Sequence, residues 1–186
     1  MLLFSLRISK KETFLKIPER IPDKKYIFQI YGLIVMFIYG WSFYRFIWIL
    51  PSWIKYLTFN EIGILLAYTL VTNLFESTLI LIGLIAISIV LPMKWFHNDF
   101  VARGGLNVLY LLLLITLVAY NAAPVNQLGN YITRAVIDLA FLNFVIGYVP
   151  PLQRFIVSLA DRSTIFLYLS IPSSILALIV VFFRNI

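Results

Sequence analysis

Residues Ile62–Leu91 read IGILLAYTLVTNLFESTLILIGLIAISIVL, thirty positions with a single acidic or basic side chain, Glu76, near the midpoint. About 20 apolar residues cross the hydrocarbon core of a bilayer, so this stretch is a transmembrane helix with length to spare. As a helix it extends about 45 Å against about 30 Å of hydrocarbon, and must tilt, bend or project into the interface. It also sets Glu76 near mid-membrane, where an unpaired charge costs at least about 2.5 kcal/mol. Such a carboxyl is paired, protonated or functional. Thr58-Phe59-Asn60-Glu61 opens the run as a capping box, in which the Thr58 hydroxyl and the Glu61 carboxylate satisfy free backbone amides, and Pro92 closes it.

The rest of the chain carries the same signature. Of its 186 residues 62% are hydrophobic and 12% charged, against about 45–50% and about 25% in soluble proteins. The fold class is therefore all-α, a polytopic membrane bundle with five spans at about 26–44, 62–91, 106–125, 132–149 and 164–183. The first lies between Lys24-Lys25 and Arg45. The third follows Gly104-Gly105, read as a flexible pair, and holds no charge. The fourth contains Arg134 and Asp138 and stops at Pro150-Pro151, where two missing backbone donors break or kink a helix. The fifth follows Asp161 and Ser163, both N-cap candidates, and contains Pro172, tolerated where neighbours satisfy the freed carbonyl. A rival arrangement has four spans, with 132–162 as a re-entrant or interfacial hairpin.

Residues 1–25 carry seven basic groups against Glu12, Glu19 and Asp23, and form a basic cytoplasmic segment ahead of a single transmembrane domain over 26–186. With the N-terminus inside, eleven of the fifteen Lys and Arg fall on the cytoplasmic side, leaving Arg45, Lys55, Arg134 and Arg184 outside or near the outer end. This predicts a cytoplasmic (plasma) membrane protein with its C-terminus on the opposite face. Ser9-Lys10-Lys11-Glu12 opens a short basic helix expected on anionic lipid, with Phe14, Leu15 and Ile17 inserted shallowly. Met1–Ile8 is too short for a secretory leader and is read as retained. The basic groups sit beside spans and accompany no nucleic-acid module, so the expected partners are the bilayer, other membrane subunits or a homo-oligomer, and not nucleic acid.

Thr69, Thr72, Asn73 and Glu76, with Gly83, recur at three-, four- and seven-residue intervals and read as one polar stripe facing protein. Such a stripe serves either interhelical hydrogen bonding or a proton or cation site. Arg134 and Asp138, four apart, are expected to pair, and are the nearest charged counterparts of Glu76, though closer to the outer end of their span. Phe43–Leu57, with Trp48 and Trp53 beside Arg45 and Lys55, reads as an outer interfacial segment or a docking surface. Ala119 and Ala123, and Ser173 and Ala177, have the small-xxx-small spacing of close helix contacts.

Chemistry is sparse. No cysteine is present, which removes disulfides, iron–sulfur clusters and thiolate zinc sites. The single histidine, His97, cannot ligate haem in a pair, and no GxSxG, HExxH or glycine-rich phosphate loop occurs. No cofactor, metal site or catalytic residue is expected. The leading reading is a non-enzymatic subunit or accessory protein of a membrane assembly. The alternative is a proton- or cation-coupled channel or transporter component using Glu76. The third is a membrane-embedded lipid enzyme gathering Glu76, Asp138, Arg134 or His97.

Overall fold

A computed structural model of the chain describes residues 23–90, 100–120 and 128–184. Among the described residues six helices follow one another: α1 Lys24–Trp53, α2 Phe59–Val90, α3 Phe100–Tyr120, α4 Leu128–Tyr148, α5 Pro150–Ser163 and α6 Ile165–Arg184. All regular structure among the described residues is helical, and five helical stretches are long and apolar enough to cross a membrane. The protein is a multi-pass helical bundle. The expected basic helix at the N-terminus, His97 and Ala123 lie outside the described residues.

Helix α1 is the axis of the bundle. Ile30, Leu33, Ile34 and Val35 are sealed from the surface, and α2, α3, α5 and α6 all pack on it. Polar groups reinforce these contacts. The Tyr39 and Ser174 hydroxyls lie 2.7 Å apart, Ser42 donates to Asn73 Oδ1 at 2.8 Å, and the Tyr31 and Thr78 hydroxyls lie 3.3 Å apart. Each joins helices in a setting where apolar burial alone gives helices little reason to associate. On α6, Leu167, Ser170, Ser174 and Ala177 form the buried face, so the close approach uses Ser174 and not the Ser173 of the small-residue spacing.

Several boundaries move. α1 does not stop at Tyr44 but runs through Arg45 to Trp53, with Pro51 inside its last turn. The aromatic segment is therefore helix, and its rings stack at helical spacing: Trp41 with Tyr44 at 5.7 Å and Tyr44 with Trp48 at 6.5 Å. α3 starts at Phe100 and not at Leu106, and Gly104-Gly105 lie within it. They are a packing surface rather than a flexible pair: a Cβ on Gly105 would stand 3.0 Å from Leu33 and 3.2 Å from Ile156. The capping box forms as read, with the Thr58 amide donating to Glu61 at 2.8 Å and the Glu61 amide to the Thr58 hydroxyl at 3.4 Å.

The segment after Pro150-Pro151 is helix α5 rather than a loop. Val149, with φ −115° and ψ 84°, breaks α4, and Pro150 takes the first position of the new helix, where its lack of an amide hydrogen costs nothing. The missing Pro150 donor would have served the Ile146 carbonyl; the Gln153 side-chain amide supplies it instead at 2.7 Å. Ile156, Ala160 and Ser163 bury one face of α5 against the first turns of α1 and α3. There α1 comes so close that a Cβ on Gly32 would lie 2.9 Å from the backbone of Ser163 and Thr164. By length and composition five helical stretches can cross a membrane, Gly129–Tyr148 being one of them, and the fourteen-residue α5 leads into α6 within the fifth, Pro150–Arg184.

Candidate functional site

Glu76 lies on α2 among Asn73, Ser77 and Thr72, yet these neighbours do not share one environment. Asn73 and Ser77 are buried and Thr69 half-buried, whereas Thr72, Glu76 and Gly83 are exposed. Successive residues on a helix turn by about 100°, so Asn73 and Ser77 form one face and Thr72 and Glu76 the next. The stripe expected to face protein is therefore split. Asn73 accepts from Ser42 on α1, while Thr69 and Thr72 donate back to the Leu65 and Tyr68 carbonyls of their own helix. Among the described residues Glu76 makes no hydrogen bond and no ion pair.

The Glu76 carboxyl lines a lateral groove of about 600 Å³ between α1, α2 and α3. Phe37, Trp41, Phe75, Leu79 and Ile115 form most of its wall, with Ser42, Thr78 and Thr116 the other polar contributors. A lone charged carboxylate in an apolar groove of a membrane bundle is costly unless it is neutralised or a group outside the chain answers it.

Arg134 and Asp138 do not pair. Arg134 is exposed, and the Asp138 carboxylate instead accepts the Tyr110 hydroxyl of α3 at 2.6 Å. One turn further, Asn107 and Asn143 exchange amide hydrogen bonds, at 2.9 Å and 3.4 Å, and Asn143 also donates to the Leu139 carbonyl at 2.8 Å. A third span begun at Leu106 leaves Arg103 outside it and hides this α3–α4 seam in the sequence. Starting that helix at Phe100 puts Arg103, Asn107 and Tyr110 at i, i+4 and i+7, the signal that would have found it. A cavity of about 560 Å³ beside the seam is lined by Arg103, Asn107 and Asn143 among apolar neighbours.

The seam also fixes relative heights. α3 and α4 are antiparallel, with Tyr110 facing Asp138 and Asn107 facing Asn143. Residues Leu112 to Thr116, which flank the Glu76 groove, therefore come opposite α4 positions from about 136 back to 132, a stretch that includes Arg134. Glu76 lies on α2 and Arg134 on α4, and the two line different grooves. Arg134 lies in the second turn of α4, toward the end of the helix that starts at Leu128, as the sequence suggests. Glu76, Arg134 and Asp138 do not converge into one centre, and His97 lies outside the described residues.

Of the residues expected at the interface, Trp48 is 76% exposed, Arg45 and Lys55 are exposed, and Trp53 is half-buried with its ring edge-on to Phe46 at 5.3 Å. No group of three or more His, Asp or Glu side chains gathers among the described residues in a way that would hold a metal. Comparison with protein-family models, with curated proteins and with solved structures returned no match, so the reading of the site rests on this chain's own residues.

Proposed function

We propose that the protein is a non-enzymatic subunit of a membrane assembly that associates laterally through the Glu76 groove, its first neighbour being a second copy of itself. The observation that carries this reading is Glu76 itself: a carboxyl on the outer face of α2, in an apolar groove that opens sideways, with no partner in its own chain among the described residues. A transmembrane charge of this kind is stabilised by a complementary group. Arg134 is exposed, forms no ion pair in its own chain among the described residues, and lies on a transmembrane helix as Glu76 does. In a two-fold dimer each Glu76 would meet the Arg134 of the second copy and each Arg134 its Glu76, the reciprocity that such symmetry requires.

Energy transfer between donor- and acceptor-labelled copies in lipid vesicles tests this. Glu76→Gln and Arg134→Gln should each weaken association by about tenfold or more, and the exchange Glu76→Arg with Arg134→Glu should restore it. Association that neither variant changes, or a strictly monomeric chain at all lipid dilutions, would overturn the self-association. Proton or cation flux in reconstituted vesicles that disappears in Glu76→Gln would establish the ion-coupled reading in its place.

A further inference from the structure

A second site lies at the opposite end of α1 from its aromatic extension, where α5 packs on α1 and α3. A groove of about 620 Å³ opens there between the first turns of α1 and α3 and the outer face of α5. Its rim carries the Lys25 ammonium and the Arg154 guanidinium, and its apolar wall is formed by Phe100, Val101 and Val157. Below the rim, Gln29 is only 6% exposed. Its side-chain amide donates to Asp161 Oδ1 at 3.1 Å, while its own carbonyl oxygen, Oε1, is buried with no hydrogen-bond partner.

The chemistry of this groove is mixed in a particular way. Two cations call for an anionic oxygen group, and the pairing of a guanidinium with phosphate is among the strongest such contacts. The bare Gln29 oxygen and the Asp161 carboxylate accept hydrogen bonds only, so they call for a donor on the same ligand. Buried acceptors are ordinarily paired, and an orphan at the foot of a groove marks a missing partner. The apolar wall suits the start of an acyl chain. A phosphodiester flanked on one side by hydrocarbon and on the other by a hydroxyl or ammonium meets all three demands.

We infer that this groove binds one glycerophospholipid whose headgroup ends in a hydrogen-bond donor, with the phosphate between Lys25 and Arg154 and the terminal donor on Gln29 Oε1 and Asp161. The site is independent of the Glu76 groove and of how copies associate. A choline headgroup carries the same phosphate and no donor, so it fills only half of the site.

Native mass spectrometry of the full chain in detergent, titrated with dioctanoyl phosphatidylglycerol, phosphatidylethanolamine or phosphatidylcholine, tests the assignment. The glycerol and ethanolamine lipids should bind about tenfold more tightly than the choline lipid, a difference that Gln29→Leu should abolish. Lys25→Gln with Arg154→Gln should weaken all three. Both of those residues are exposed, so this double variant keeps the test meaningful should Gln29→Leu fail to fold. Equal affinity for the three lipids, or affinities untouched by the double variant, would overturn the site. Displacement of the lipids by millimolar inorganic phosphate would show a free-phosphate site and overturn the lipid assignment.

Discussion

The Tyr110 hydroxyl donates to the Asp138 carboxylate at 2.6 Å, and this single contact takes Asp138 away from Arg134, its neighbour one turn back on the same helix. An acid held by a phenol on another helix ties α4 to the bundle. An intrahelical ion pair would have left the Asn107–Asn143 exchange as the side-chain hydrogen bonding between α3 and α4. The contact matters because α4, apart from its abutment on α5, packs chiefly on α3.

Tyr110→Phe therefore removes the donor and leaves the carboxylate in place. The expected loss is about 1–2 kcal/mol of stability in bicelles, with Asp138→Asn milder because an amide oxygen still accepts. Reversible unfolding in mixed detergent measures both, and equal stability of Tyr110→Phe and the parent chain would contradict the expectation.

Gly32 and Gly40 lie two turns apart on α1 and should respond oppositely to one added methyl. At Gly32 the new Cβ would press on backbone atoms of Ser163 and Thr164 at 2.9 Å, which cannot swing aside as a side chain would. Gly32→Ala should cost at least about 2 kcal/mol, whereas Gly40→Ala, whose Cβ meets nothing within 4 Å, should be neutral or stabilise by about 0.5–1 kcal/mol. A thermal melt of the two variants side by side decides it.

Gln153→Leu leaves the Ile146 carbonyl without a donor at the junction of α4 and α5. The junction should lose about 1–2 kcal/mol, seen as faster amide hydrogen exchange confined to the last turn of α4 and the first of α5. Unaltered protection there would show that the side-chain amide is dispensable.

Glu76→Gln should leave the stability of the isolated chain within about 0.5 kcal/mol, because no described residue bonds the carboxyl. Asn73→Leu, three residues earlier and 3% exposed, should cost about 1–2 kcal/mol by removing the acceptor for Ser42. Chemical denaturation of dilute chain in detergent separates the two, and a large loss in Glu76→Gln would mean an intramolecular partner.

The five spans were legible because membrane thickness converts directly into apolar run length, and no packing detail can overrule it. The Thr58–Glu61 cap was legible for a similar reason: both partners lie within four residues. What escaped was whatever depends on a neighbour. Asn73 and Glu76 are three apart and equally polar, and only the position of α1 buries the first and leaves the second outside. Gly104 and Gly105 suggest freedom in isolation, and only the arrival of Leu33 and Ile156 turns Gly105 into a contact surface. Helix α5 is half legible: Pro150-Pro151 announce the break, while Ser163 looks like an N-cap of the next span until Ile156 and Ala160 place it on the buried face of α5.

The central place of α1 has a consequence for the order in which the protein is made. α1 enters the bilayer before the other described helices, carrying Gln29, Tyr31, Tyr39 and Ser42 into the membrane or its edge. Tyr31 and Ser42 find Thr78 and Asn73 as soon as α2 follows. Gln29 waits for Asp161 on α5, and Tyr39, which reaches the Leu70 carbonyl of α2 at 3.5 Å, gains its shorter bond to Ser174 only with α6. The backbone that closes over Gly32 arrives later still than α4. A nascent chain halted before α5 thus exposes unfinished polar groups on its oldest helix, the kind of surface by which quality-control machinery tells an incomplete membrane protein from a finished one.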